Sequence, residues 1–369
     1  MRIKILSTIL ISIPLLAACD IGRELAKTAI DVVKNPQTET GKQVMGSYSS
    51  KLKNLEFTCV KEQFPSLPQE ADQLYRYALY HDFKNRWLPK PGVLDRYLPY
   101  YRIAAANGHW QANLTLQEIL LKSKDINLET RERRGEGIYW NEKLMKILPA
   151  SAHYWWSLYI DVGYGPKHGP DDSFIYLRKA ADLGNAKAQY EVGELLLKIK
   201  DEMVRPTVLK IVDKMRVCSL NQTYPDGMAA RMMAADARNE ENFQQSLVFS
   251  HQALKAGESS SGLTLSRAFY TENSKSKHKN WGIPTDLERS KRYRIIRDFL
   301  WKNAHLKPEL NVHDLDEIVP LPPAKLPSWD GKIAIQRFVE GPAPAKPSDE
   351  LVRKLAQQAG LDPKTGLPK

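Results

Sequence analysis

Long hydrophobic runs are missing from this chain. The longest apolar stretch, Ile5–Leu16, is too short to cross a bilayer as a mature helix. A catalytic constellation is missing as well. Gly257-Glu258-Ser259-Ser260-Ser261-Gly262 carries serines between glycines, but the glycines are misplaced for Gly-x-Ser-x-Gly. Gly163-Tyr164-Gly165 precedes Lys167, yet it lacks both the Gly-Lys-Ser/Thr ending and the leading strand of a phosphate loop. The eight histidines are scattered without a zinc spacing, and His109 falls in a turn. No basic–aromatic nucleic-acid motif occurs. These gaps point away from an enzyme, and no catalytic, cofactor-binding or metal-binding residue is nominated. Cysteine is scarce, with Cys19, Cys59 and Cys218 only.

What is present begins at the N-terminus. Met1-Arg2-Ile3-Lys4, the apolar run and the small residues Ala17-Ala18 make an export signal. Leu16-Ala17-Ala18-Cys19 resembles the bacterial lipoprotein cleavage box. That resemblance implies cleavage after residue 18 and fatty acyl chains, palmitate among them, on Cys19. More than one long chain anchors stably, at about 0.8 kcal/mol per buried methylene. By resemblance to enterobacterial sorting rules, Asp20 favours retention in the inner membrane, with the outer membrane as the alternative. The expected location is the bacterial envelope, facing the periplasm. Ile21, Leu25, Ala29, Val32 and Val33 have helical spacing, and residues 35–50 read as a polar linker. Export makes a disulfide between Cys59 and Cys218 the expectation, with two buried free thiols as the alternative. The formal charge is +11, and removal of the signal with Arg2 and Lys4 leaves +9. A basic periplasmic surface suits anionic headgroups or an acidic partner and, once exported, not nucleic acid.

The body is organised around residues 154–197. Ala180-Ala181-Asp182-Leu183-Gly184-Asn185-Ala186-Lys187-Ala188 reads as the end of one helix and the start of the next. Small alanines let helix backbones approach. Gly184 stops the first helix by taking the left-handed conformation without steric penalty. Tyr190, Val192, Leu195 and Leu196 then form an apolar stripe. The same signature stands at Ala104–Ala112 and, weakened, at Ala253–Ser261, with a degenerate copy around Cys218–Ala229. Gly108 and Gly184 are 76 residues apart and Gly184 and Gly257 are 73 apart, each about two units of a helical-hairpin repeat. The prediction is an all-α protein, an α/α solenoid of stacked hairpins. Gly163-Tyr164-Gly165, Asp171-Asp172 and Tyr176–Gln189 resemble a SEL-1-like repeat, a relative of the tetratricopeptide repeat; Pro166 and Ser173 depart from that pattern.

Five regions follow: a signal at 1–18, a lipid-anchored tether at 19–50, the repeat array at 51–270, a helix and extended cap at 271–340, and a tail at 341–369. Within the array, Tyr154, Trp155 and Trp156 are expected to pack between hairpins, and the charged run 123–137 reads as a solvated loop. Residues 271–282 read as a loop. Thr285-Asp286-Leu287-Glu288 reads as a capping box, with Thr285 and Glu288 reciprocal. The helix it opens runs to about Lys302, with Leu287, Tyr293, Ile296 and Leu300 inward. Proline density forbids a helix over Ile318–Gly331, whose apolar residues are expected to lie across the last hairpin. A short helix over Ser348–Ala359 is expected to hang outside the body.

Taken together, the lipoprotein start, Gly108–Asn113, Asp286–Tyr293 and the Ile318–Gly331 motif resemble bacterial lipoproteins that look like immunity proteins for phospholipase effectors of type VI secretion. The resemblance spans roughly residues 51–335. It implies a protein partner, a cognate lipase, neutralised at the membrane where Cys19 anchors the inhibitor. The alternative is a general envelope scaffold, since SEL-1-like arrays elsewhere act as adaptors.

Overall fold

The computed structural model describes residues 55–86, 90–122, 130–165, 172–199, 204–270, 281–304 and 311–369. The expected lipidation site Cys19, Asp20, the spaced apolar residues of 20–34 and the 35–50 linker lie outside the described residues. So do residues 123–129 and 271–280 of the two expected loops.

Among the described residues the chain is all-α. Fifteen α-helices span Gln69–Arg86, Leu98–Ala106, Trp110–Lys122, Thr130–Leu144, Pro149–Asp161, Asp172–Asp182, Ala186–Leu196, Arg205–Leu220, Gly227–Asn239, Phe243–Lys255, Ser259–Tyr270, Leu287–Lys302, Leu315–Ile318, Ala334–Glu340 and Asp349–Gln358. Consecutive helices pack in pairs, the arrangement of an α solenoid.

One turn recurs between them. At Gly184, φ is +106°, the Gly184 amide donates to Ala181 O at 3.1 Å, and the Asn185 amide reaches back to Ala180 O at 2.9 Å. That pair of bonds is a Schellman ending, which satisfies two carbonyls the helix would otherwise leave open. Gly108 and Gly257 make the same turn through Ala104 and Ala253. A further copy was not legible from glycine. Glu241 adopts φ +59°, and the Asn242 amide donates to Ala237 O at 2.8 Å. Asn185 and Asn242 then cap the next helices, accepting from Ala188 N and Gln245 N.

The described residues form two compact units that cut across the predicted array. One joins residues up to Glu62 with His153–Gln222, and the other joins Gln63–Ala152 with Thr223–Lys369.

In the first unit Ala180, Ala181, Ala188, Val192, Val208, Val212 and Met215 form the core between three helices. An extended segment, residues 55–62, lies over these helices. Phe57 is buried, and the backbone is held by side chains. Arg178 Nη2 donates to Glu56 O at 2.7 Å, and Lys214 Nζ donates to Phe57 O at 3.3 Å. Gln189 and Gln222 both donate to Val60 O, at 3.2 and 2.7 Å. Gly184 is required here twice over, because an added Cβ would stand 2.5 Å from Glu62 N. Cys59 is bonded to the buried Cys218, with Cα atoms 5.6 Å apart. Tyr154, Trp155 and Trp156 are also buried.

His153 in this unit makes the fold pH-sensitive. Its Nδ1 is buried without a partner, and its ring meets Tyr176 at 5.6 Å. Burial, and then the Lys179 ammonium, push its pKa down to about 4. The unfolded imidazole titrates near 6.5. Between those values the unfolded state takes up the proton first, so stability falls as pH drops from about 6.5 to about 4 and levels off below. His153→Gln is expected to remove that component. Urea midpoints of the two proteins, compared at neutral pH and near pH 4.5, should converge on acidification. Parallel midpoints would clear His153 of the effect.

A single buried apolar cluster runs through the second unit, including Leu74, Tyr101, Leu116, Trp140, Leu254, Phe269, Tyr293, Leu315 and Leu355. Two expectations fail in this unit. Residues from Thr130 onward are helical, not a solvated loop. The four-residue spacing of Glu136, Trp140 and Leu144 puts them on one inward face. There Arg102 grips Glu136 with two bonds of 2.7 Å, and Trp140 Nε1 donates to the same carboxylate. The helix Asp349–Gln358 does not hang outside. Leu351, Val352, Leu355 and Ala356 make a narrow apolar stripe, and it packs on the helices Gln69–Arg86 and Leu98–Ala106. Lys354 bonds Glu70, Asn107 Nδ2 donates to Leu355 O at 3.0 Å, and Arg102 Nη1 donates to Thr365 O at 2.8 Å. Residues 341–369 are thus part of the body and not a tail.

Candidate functional site

The helix pair Ser259–Tyr270 and Leu287–Lys302 is the best-defined platform in the second unit. Gly262 lets the helices close, since a Cβ there would stand 2.7 Å from Arg297 Cβ. Ser290 Oγ donates to Ser266 O at 2.7 Å, and Phe269 stacks on Tyr293. The second helix is capped by Asp286, whose carboxylate accepts from Arg289 N at 2.8 Å. This corrects the capping box centred on Thr285 and Glu288. Glu288 instead pairs with Arg292.

Two arginines on this helix hold the proline-rich segment. Such a segment has few amide hydrogens, so its exposed hydrogen-bonding groups are carbonyls, which a guanidinium fork can serve in pairs. Arg289 donates to Pro320 O and Ala324 O, the latter at 2.7 Å. Arg292 donates to Ile318 O and Pro327 O, both at 2.7 Å, and lies over the Trp329 ring. The segment therefore does lie across the last long hairpin, but it is not extended throughout: Ile318 closes the short helix Leu315–Ile318, and a turn follows in which Ala324 N donates to Leu321 O at 3.2 Å across a cis Pro322–Pro323 bond.

A chain of titratable groups pins the start of the same segment. Asp316 accepts from His251 Nε2 at 2.8 Å and pairs with Lys255. His251 Nδ1 stands 2.8 Å from the Tyr293 hydroxyl. With Nε2–H facing the carboxylate, Nδ1 accepts from the tyrosine. The His251 bond, helped by Lys255, holds the Asp316 carboxyl well below the usual range, and burial pushes the Tyr293 phenol well above its own. The tyrosine thus stays a protonated donor, sealed in the core. An aspartate, a histidine and a hydroxyl in sequence resemble a relay, but here the hydroxyl is inaccessible and the chain works as a fastener. Among the described residues no three His, Cys, Asp or Glu side chains gather as a metal site needs.

The outward side of the platform is different. Leu287, expected inward, is 61% exposed, as are Tyr270 and Trp301. Among the described residues these are the three most exposed large apolar side chains. Leu287 lies two and a half turns from the buried Ile296, which places the two on opposite faces. Steps of four and three residues from Leu287 reach Lys291, Arg294, Asp298 and Trp301. At 100° per residue all five fall within an arc of about 80°, along about 21 Å of helix. Lys291 and Arg294 are exposed. Arg297, beside the stripe, pairs with Asp298 at 2.7 Å and lies over the Trp301 ring at 5.4 Å.

Sequence reasoning nominated only cysteines as sites. Cys19 lies outside the described residues, Cys59 and Cys218 are bonded to each other, and none of the three belongs to this platform. The stripe could have been found on a helical wheel drawn from Ile296 outward.

A family model described as a domain of unknown function (DUF6396) matches residues 261–369. The match takes in the exposed stripe, the arginine-held segment and the docked C-terminal helix. No curated protein matches the chain. Two solved Pseudomonas aeruginosa structures are similar to it. One is P. aeruginosa 5086 (PA5086), 24% identical with a TM-score of 0.51, covering 72% of this chain and 95% of that one. The other is the immunity protein Pa5087, 22% identical with a TM-score of 0.50, covering 73% of this chain and 95% of that one. At these identities the likeness is one of fold alone.

Proposed function

We propose that this protein is an immunity protein, which binds a toxic effector and neutralises it. The observation that supports the reading most is the fold held in common with Pa5087 over nearly the whole of that chain. A second support is the platform described above, a rigid helix pair on which Leu287, Tyr270 and Trp301 stand largely exposed. In the fuller form of the proposal the effector is a type VI secretion phospholipase. The binder is a SEL-1-like lipoprotein, held by acyl chains on Cys19 at the periplasmic face of the membrane under attack. Asp20 favours the inner membrane. Anchoring raises the inhibitor's local concentration at the lipids the effector attacks.

The test is to express residues 20–369 in the natural host behind a cleavable periplasmic signal, isolate the protein and identify what accompanies it. One near-stoichiometric lipase, whose toxicity the full chain relieves, is the expected result. Several substoichiometric envelope proteins and no relief of toxicity would replace immunity with a scaffold role.

A further inference from the structure

We propose that the outer stripe of the helix Leu287–Lys302, together with Tyr270, is the surface that grips the partner, and that the partner meets it with an acidic protein surface bearing apolar pockets for Leu287 and Trp301. The inference rests on the effector-binding reading and adds the place and the chemistry of contact.

Three observations carry it. The first is concentration: the three most exposed large apolar side chains among the described residues stand on one helix pair, and two of them are tyrosine and tryptophan. Those are the types that dominate binding energy when a partner desolvates them. The second is rigidity. Tyr293, Ile296 and Leu300 fasten the helix to the core, while Arg289 and Arg292 are committed to the proline-rich segment. Only the Leu287–Trp301 face remains, and it is already ordered, so little entropy is lost when it docks. Arg297 over Trp301 restrains the ring before any partner arrives.

The third is charge. Lys291 and Arg294 sit between the two apolar ends, and no ion pair or hydrogen bond among the described residues engages either of them. Asp298 is already met by Arg297, so the uncompensated charge of the stripe is positive. A partner with carboxylates opposite Lys291 and Arg294 is attracted at a distance and held in register. The same residue types also suit a membrane interface. Against that, Asp298 stands in the middle of the stripe and Glu288 beside Leu287, both facing solvent at least in part. Anionic headgroups repel carboxylates, whereas a protein can place a donor against each. The four-and-three spacing is that of a helix laid into a protein groove.

The experiment places a photoreactive benzoylphenylalanine at position 294 of the full chain in its natural host, with position 353 as the control. Arg353 is exposed on the helix Asp349–Gln358, away from the stripe in sequence and element. Irradiation at 294 is expected to join the protein to the effector whose toxicity it relieves, within a segment rich in Asp and Glu. With that effector purified, Lys291→Glu combined with Arg294→Glu should weaken binding by about tenfold or more, and Trp301→Ala by a similar factor. Arg353→Glu should change it less than twofold. All the substituted side chains are exposed, and unchanged urea midpoints will establish that the variants fold. The surface assignment is overturned if 294 joins only a second copy of the chain or only lipid, if it joins nothing, or if the charge reversals leave affinity intact. Loss on reversal of binding to phosphatidylglycerol vesicles, with no protein crosslinked at 294, would replace it with a membrane contact. The two readings fail separately. Relief of toxicity without a crosslink at 294 removes this surface and leaves immunity. A crosslink to an acidic protein that is not toxic does the reverse.

Discussion

Replacing both Cys59 and Cys218 by alanine is expected to destabilise the unit that holds them by about 2–5 kcal/mol. The bond joins positions 159 residues apart. The chain-entropy relation for a loop of that length gives about 5 kcal/mol, and relaxation of the native state brings the figure down. The effect should also be local. Residues 55–62 have three other kinds of attachment: the buried Phe57, the side-chain bonds to Glu56, Phe57 and Val60 carbonyls, and the close contact at Gly184. The variant should therefore keep its helices while the segment exchanges its amide hydrogens faster. Cys59 is exposed, so reductant reaches the bond in the native protein. Urea unfolding with and without dithiothreitol, followed by hydrogen exchange over residues 55–62, tests both parts. Equal midpoints in the two conditions would remove the bond from any account of stability.

Arg292→Ala is expected to cost about 2–4 kcal/mol and to free the proline-rich segment. The substitution removes a buried cation that satisfies Ile318 O and Pro327 O, covers Trp329 and balances Glu288. Each carbonyl left without its charged donor costs about 1–3 kcal/mol. Water can repair the exposed end at Pro327 more readily than the buried end at Ile318. Arg292→Lys keeps the charge but cannot fork to two carbonyls, and it should fall between the two. Thermal unfolding gives the magnitude, and limited proteolysis gives the place, with new cleavage expected within 318–329. Faster proteolysis elsewhere and an intact segment would mean that Arg289 alone suffices.

The helical architecture was largely legible. Alanine pairs, a glycine six residues before the next apolar stripe and spacings of 76 and 73 residues are signals within the sequence, and the turns at Gly108, Gly184 and Gly257 make the same backbone bonds. The turn at Glu241 was hidden, because the left-handed conformation there is held by a residue that carries no such signal. Asn242, placed as Asn185 is, was the available clue. The helix from Thr130 was hidden by composition. A run of arginine and glutamate reads as solvated until Arg102, 34 positions before Glu136, supplies the charge that brings that face inward.

The surface nominated for partner binding was misread in one respect that matters. Leu287 was expected in the core because it is a leucine at the start of a helix. Only the positions of Tyr293, Ile296 and Leu300 against the neighbouring helix show that its face points out. The charge there was legible only as a total for the chain.

The sequence by itself therefore determined most of the helices, most of their stops and the absence of helix from the proline-rich stretch after Ile318, because these depend on φ preferences and spacing within a few residues. Tertiary structure alone decided which arginines would spend their donors on that stretch, and that residues 55–62 would be captured by Arg178, Lys214, Gln189 and Gln222. It also decided that the C-terminal helix would dock against Gln69–Arg86. Those outcomes depend on pairs 26 to 284 residues apart, and only folding brings their atoms within hydrogen-bonding distance.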